Sequence, residues 1–277
     1  MAKLSAFADE AAHDFSAQLE FLVKEKIGYI ELRLVNKKNI MDLSKAELSQ
    51  ARRMIRDNEL KVSAIGSPIG KVKIDEPFEP HLDKFKRAMD LAVYFATPLI
   101  RVFSYYPPDG KDIADFRNEV MDRMAAKARL LENTNLIMVH ENEGGIYGQA
   151  AERCVDIVKT VNSPRLRLAY DAGNFVYSMN CPNNVETCWP LMKPYVEHIH
   201  IKDRKLDESR GCIPGRGAAQ IKELFVELSR MDYQRCVTLE PHLTVSDIMS
   251  GFTGPGLFSQ TIEAIRNLAE EVGLKLE

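Results

Sequence analysis

The stretch 136–141, LIMVHE, is a short apolar run that ends on a carboxylate. Three later runs share its build: LRLAYD at 166–171, VEHIHI at 196–201 and CVTLE at 236–240, each with Asp, His or Glu at or beside its last position. Upstream, Leu4–Phe7, Tyr29–Arg33, Lys61–Gly66 and Leu99–Phe103 are likewise short, apolar and partly β-branched. Their starts fall about 25 to 40 residues apart, the length of one strand–helix unit. Eight such units predict a closed parallel eight-stranded barrel of the (β/α)8 type, one α/β domain over residues 1–277.

The segments between the runs carry helical signatures. Phe15, Leu19, Leu22 and Val23 recur at the spacing of one helix face, and Gly28 is placed to end that helix. Ser44 and Glu47 form an S-x-x-E capping box, and Phe85, Ala88, Met89, Ala92 and Phe95 give a later helix its buried side. Lys205 to Gly217 and Thr244 to Pro255 predict longer loops. An open doubly wound sheet shares the alternating pattern, but the chain has neither G-x-G-x-x-G after its first strand nor G-x-x-x-x-G-K-[ST] anywhere.

Composition narrows the function. Hydrophobic residues make up 45% and charged residues 28% of the 277, enough to bury a large core. With 37 basic against 40 acidic residues, net −3 and the signs interspersed, neither nucleic acid nor an anionic membrane is an expected partner. Residues 1–10 show no leader pattern, and the longest apolar run, Leu91 to Val102, is interrupted by Thr97, Pro98 and Arg101. A cytoplasmic protein is expected, with homo-oligomerisation common for such enzymes. Five cysteines without a CxxC pair argue against a disulfide framework and a zinc ribbon.

In a barrel, groups at the C-terminal ends of successive strands meet at one point. Strand alternation puts Val139 with Glu141, Ala169 with Asp171, His198 with His200 and Thr238 with Glu240 on common faces. His200, nearer the strand end than His198, is the expected ligand, while His140 should point back into the helical layer. Singly, each acidic residue reads as a helix cap or loop charge and the histidine as a core residue. In register on four successive strands, Glu141, Asp171, His200 and Glu240 read as an oxygen-rich site for one divalent metal ion, Mn²⁺ or Mg²⁺ first, with Co²⁺ or Zn²⁺ also accommodated.

The strings HENEGGIYG, YDAGNF, HIHIKD and TLEPH, with SAFADE and YIELR near the start, resemble the xylose isomerase-like TIM-barrel family of sugar and sugar-phosphate isomerases and epimerases over nearly the whole chain. The resemblance implies a carbohydrate substrate and assigns the acid/base pair to the glutamates Glu141 and Glu240. Proton removal beside a carbonyl gives an enediolate. Return to the opposite face of the same carbon epimerises, and return to the neighbouring carbon isomerises. Two departures leave the sugar unnamed. Cys212 stands where members acting on free ketoses carry the arginine of R-x-P-G-x-G, and Asn174 stands where they carry a substrate-contacting histidine.

Further candidates for substrate contact are Glu31, Arg33, Glu143, Asn174, Lys202, Asp203 and His242, with Arg216 and Lys71 placed to meet a phosphate. Phe7, Tyr105 and Trp189 are candidate pocket walls. Three other functions share the pattern: a metal-dependent dehydratase of a cyclic polyol, an abasic-site endonuclease, which needs more histidines and a more basic surface than this chain offers, and a sugar-binding barrel without turnover.

Overall fold

The structure is a computed structural model that describes residues 1–206, 208, 210–244 and 251–277. Eight strands close a barrel: β1 (Lys3–Ala6), β2 (Tyr29–Leu32), β3 (Lys61–Ile65), β4 (Leu99–Val102), β5 (Ile137–Glu141), β6 (Leu166–Asp171), β7 (Val196–Ile201) and β8 (Cys236–Leu239). Every neighbouring pair is parallel, and β1 completes the ring by pairing with both β2 and β8. Each predicted strand is present within a residue at either end, because a buried parallel strand is a short continuous apolar run and reads as one.

Helices α1 (Phe15–Lys24), α2 (Lys45–Asp57), α3 (Phe78–Tyr94), α4 (Arg117–Leu130) and α5 (Ala151–Val161) follow the first five strands. After β6 come α6 (Ala172–Met179) and the single turns Asn184–Thr187 and Trp189–Met192, then α7 (Ile221–Arg230) after β7 and α8 (Pro255–Glu271) after β8. The main core lies between the outer strand faces and these helices; inside the ring a separate small apolar cluster of Ala64, Leu99, Val139 and Ala169 supports the polar layer above it. The predicted capping box forms, with Glu47 N–H donating to Ser44 Oγ (3.3 Å) and Ser44 N–H to Glu47 Oε2 (2.6 Å).

Two helical details differ from the sequence reading. In α1, Phe15, Leu19 and Leu22 are buried but Val23 is 47% exposed, because it falls past the edge of the core-facing stripe. Gly28 does not cap that helix: the chain turns two residues earlier, where Lys26 takes the left-handed conformation (φ 54°). Of the predicted loop 244–255, residues 245–250 lie outside the described residues. No helix among the described residues is long and apolar enough to cross a membrane.

Candidate metal centre and active site

Glu141 and Asp171 close β5 and β6, His200 is the penultimate residue of β7, and Glu240 follows β8 directly. Parallel register brings them together: one donor atom from each of the four lies within 4.8 Å of the others. All four are buried, none more than 3% exposed. Three facing atoms, Asp171 Oδ2, Glu240 Oε2 and His200 Nδ1, accept or donate no hydrogen bond. Lys202 Nζ lies 3.1 Å from Asp171 Oδ2 and 3.3 Å from Glu240 Oε2, close enough for charge attraction but without hydrogen-bond geometry. Buried polar atoms without partners cost on the order of 1–3 kcal/mol each, so converging orphans are the mark of a ligand set.

The imidazole is prepared for that role from behind. His200 Nε2 lies 3.2 Å from Glu31 Oε2, which also meets His198 Nε2 at 2.7 Å. A carboxylate that accepts from Nε2–H leaves the Nδ1 lone pair of the neutral ring directed at the cluster, where that nitrogen lies 3.3 Å from Glu141 Oε1 and 3.7 Å from Glu240 Oε2. Three carboxylates and one imidazole fit a hard divalent cation and not a thiolate-type site.

Each glutamate divides its two oxygens. Arg101 Nη1 donates to Glu141 Oε2 (3.2 Å) and Arg33 Nη1 to Glu240 Oε1 (2.7 Å), so the other oxygen of each is left to the cluster. Arg33 also donates to Asp9 (2.9 Å) and Glu10 (3.5 Å). The cations alternate with rings along one wall: Arg33 and Arg101 lie 4.3 and 5.0 Å from the Phe7 centroid, Arg101 and Lys71 5.1 and 4.4 Å from that of Phe103.

Burial pushes the charged carboxylates toward protonation, and the local cations decide which resist. For Glu141, burial is outweighed by His200 and Arg101, which hold it down to about 2. Glu240 is likewise held well below the usual range by Lys202, His242 and Arg33 against burial. For Asp171, burial wins with help from Glu141 and Glu240 and raises it to about 6. His200, though buried, is raised to about 10 by Glu141 and Glu31. The proton this balance places on His200 is the one a divalent cation would displace.

The sequence profile of the xylose isomerase-like TIM barrel matches residues 19–274. The chain belongs to the xylose isomerase-like TIM-barrel family. No curated protein sequence matches it at a significant level. Among solved structures, this family barrel superposes on a probable 3-DHS dehydratase, AsbF, from Bacillus anthracis with a TM-score of 0.75 at 16% identity, over 96% of this chain and 99% of the other. It superposes on a D-psicose 3-epimerase with D-tagatose from Clostridium cellulolyticum H10 with a TM-score of 0.72 at 14% identity, over 99% of both chains. A xylose isomerase-like TIM barrel protein from Mycobacterium smegmatis in complex with magnesium gives 0.73 at 14% identity, over 98% and 97%. At these identities the likeness is one of fold.

Within this family barrel the remaining sequence candidates separate. Asn174 donates to Glu141 Oε1 (3.1 Å) and accepts from Lys202 (3.2 Å), so it belongs to the centre. His242, in the left-handed region at φ 50°, lies 3.2 Å from Glu240 Oε1 and 3.1 Å from Glu10 Oε1. Glu143 sits at the rim, paired with Lys71 at 2.8 Å. Glu31 is not at the substrate's side; only 1% exposed, it works beneath His200. Asp203, expected beside the substrate, instead accepts the backbone N–H groups of Arg204, Gly215, Gly217 and Ala219 and holds the loop after β7. Arg216 is exposed on that loop. His140 points away from the cluster toward Gly148, just before α5, and Trp189 packs in the helical layer against Tyr170. Sequence reasoning passed over Arg101, Asp9 and Glu10. The signal for Arg101 was a lone cation inside the apolar run LIRVF, next to the last residue of β4.

Proposed function

We propose that this barrel is a divalent-metal-dependent sugar isomerase or epimerase working through an enediolate, with Glu141 and Glu240 as the acid/base pair. The observation that carries the reading is the divided carboxylate: each glutamate has one oxygen fixed by its own arginine and the other turned to the shared centre. Glu141, Asp171, His200 and Glu240 would hold the metal. When bound, that ion supplies Lewis acidity toward the substrate carbonyl, a contribution of several kcal/mol in order of magnitude.

The chain's own groups do the rest. Held as carboxylates, Glu141 and Glu240 have lone pairs available to take a proton from carbon. Arg101 and Arg33 fix their orientation, so that proton removal and return occur at set positions. Lys202, its ammonium between Asp171 and Glu240 and touching Asn174, would hold a substrate oxygen. The buried ring of Phe7 keeps water from the arginines. The description of one structural neighbour as an epimerase with D-tagatose, and of another as a complex with magnesium, supports the substrate type and the ion class.

Deuterium exchange from heavy water into a panel of ketoses, with metal or with chelator, tests the reading. Metal-dependent exchange that is lost in Glu240→Gln, with the fold retained, is the expected result. Exchange unchanged in that variant removes Glu240 from the mechanism. A product that has lost water moves the reaction to the dehydratase type that the Bacillus anthracis neighbour's description names.

A further inference from the structure

We infer that this site accepts an uncharged polyhydroxy carbonyl compound and excludes phosphate esters and carboxylates, with the Glu143–Lys71 pair at the rim as the excluding element. The inference rests on the functional reading above for the carbonyl, but its charge argument is independent of catalysis.

An anionic substituent is bound by unpaired cations, by a nest of backbone N–H groups or by an open helix N-terminus. Each feature exists at this end of the barrel, and each is already taken by a carboxylate of the chain itself. Among the described residues, four Lys and Arg cations are held at the site by ion pairs with its carboxylates. Arg33 is held by Asp9, Glu10 and Glu240, Arg101 by Glu141 at 3.2 Å, Lys202 by Asp171 and Glu240 at 3.1 and 3.3 Å, and Lys71 by Glu143 at 2.8 Å.

The loop after β7, where barrels commonly cradle phosphate, presents three converging N–H groups. Those of Gly215 and Gly217 reach Asp203 Oδ2 at 2.8 and 3.0 Å, and that of Ala219 reaches Asp203 Oδ1 at 3.0 Å. The N-terminus of α6 is closed by Asp171, whose Oδ1 accepts from Asn174 N–H at 2.9 Å.

The charge balance agrees. Asp9, Glu10, Glu31, Glu141, Glu143, Asp171 and Glu240 oppose the four cations, so one divalent ion leaves the site one charge negative. A phosphate ester would add about −1.5 to −2 to that. The residues outside the described set, 207, 209 and 245–250, include no Lys or Arg.

Lys71 is the one cation of the four that touches neither a metal-ligand residue nor a buried carboxylate. Its side chain is 29% exposed and that of its partner Glu143 19%. Glu143→Gln therefore converts a neutral rim into a cationic one without touching the centre.

The test uses the full-length metal-loaded protein and three probes: D-fructose, D-fructose 6-phosphate and inorganic phosphate, with binding followed by ligand-observed NMR titration. Wild-type protein is expected to bind the phosphate ester no better than the free sugar, and Glu143→Gln to bind inorganic phosphate about tenfold more tightly than wild type. Tighter binding of the ester by wild type, or unchanged phosphate affinity in Glu143→Gln, overturns the inference. If phosphate exclusion and its relief by Glu143→Gln are both seen while no sugar exchanges deuterium, the charge rule stands and the isomerase reading falls.

Discussion

Replacing Lys127 by methionine is expected to stabilise the protein by an amount that depends on pH. Lys127, on the inner face of α4, is fully buried, and its ammonium donates to Tyr105 Oη at 3.1 Å. Tyr105 in turn ties the loops together, its N–H donating to Gly70 O and its carbonyl accepting from Tyr147 N–H. Burial first, and Arg123 second, lower the Lys127 amine from its ordinary 10.5 to about 7. At about 1.4 kcal/mol for each tenfold change in proton affinity, that drop means a penalty on the order of 5 kcal/mol for the folded, protonated state. Between pH 7 and 10.5 the unfolded chain binds the proton and the folded chain does not, so stability rises with pH in that window. Below it both states are protonated and the penalty is full; above it both are neutral and the penalty is gone. Methionine removes the titrating group but leaves Tyr105 Oη without its partner, a loss of about 1 kcal/mol. The expected result, from guanidinium unfolding of both proteins between pH 6 and 11, is a gain of a few kcal/mol at pH 7 and below that shrinks to nothing or reverses near pH 10.5. A variant less stable than wild type by the same amount at every pH would show that the amine is stabilised in place, and would refute the reasoning.

Metal binding should release protons: about one per ion between pH 6 and 10, from His200, and a second below about pH 6, from Asp171. Calorimetry in buffers of different ionisation enthalpy reads this directly, and zero release at pH 8 contradicts it. Glu31→Gln should weaken metal affinity about 10- to 100-fold, because His200 loses the carboxylate that orients it; an unchanged affinity in a competition titration removes Glu31 from that role. Gly148→Ala places a Cβ 2.2 Å from His140 Cε1, so a loss of about 1–3 kcal/mol is expected in chemical denaturation.

The strands were legible because a buried parallel strand and its terminal ligand sit next to each other in sequence. LRLAYD and CVTLE announce both the element and the acidic residue at its end, and alternation separates Glu141, which lies in the cluster with His200, from His140. Contacts set by tertiary direction were not legible. Glu31 and Asp203 are both carboxylates near strand ends, yet one turns under an imidazole and the other into a nest of backbone N–H groups. Nothing local distinguishes them, because the partners come from β7 in the first case and from a loop a dozen residues on in the second. Lys71 and Arg216 suggested a phosphate site because glycine turns flank them, but pairing with Glu143 and exposure on the loop give them other settings.

Arg101 shows what the ligand set alone leaves out. Its guanidinium donates to Glu141 Oε2 at 3.2 Å and to Gly66 O at 3.4 Å, and lies between the rings of Phe7 and Phe103. It is therefore fixed by three neighbours that the substrate does not disturb, and it passes that rigidity to one face of Glu141. Arg101→Met keeps much of the packing but frees the carboxylate to turn, so the proposed enolisation should fall by about 100-fold, mostly in kcat, since a small misplacement of a reacting group is costly. The metal should stay bound, because the oxygen facing the centre is not the one Arg101 holds. Arg101→Lys restores the charge without the second contact to Gly66 and should recover part of the rate. Loss of metal in parallel with rate in the methionine variant, with no recovery in the lysine variant, would make Arg101 a structural support of the whole centre and not a positioning residue for its base.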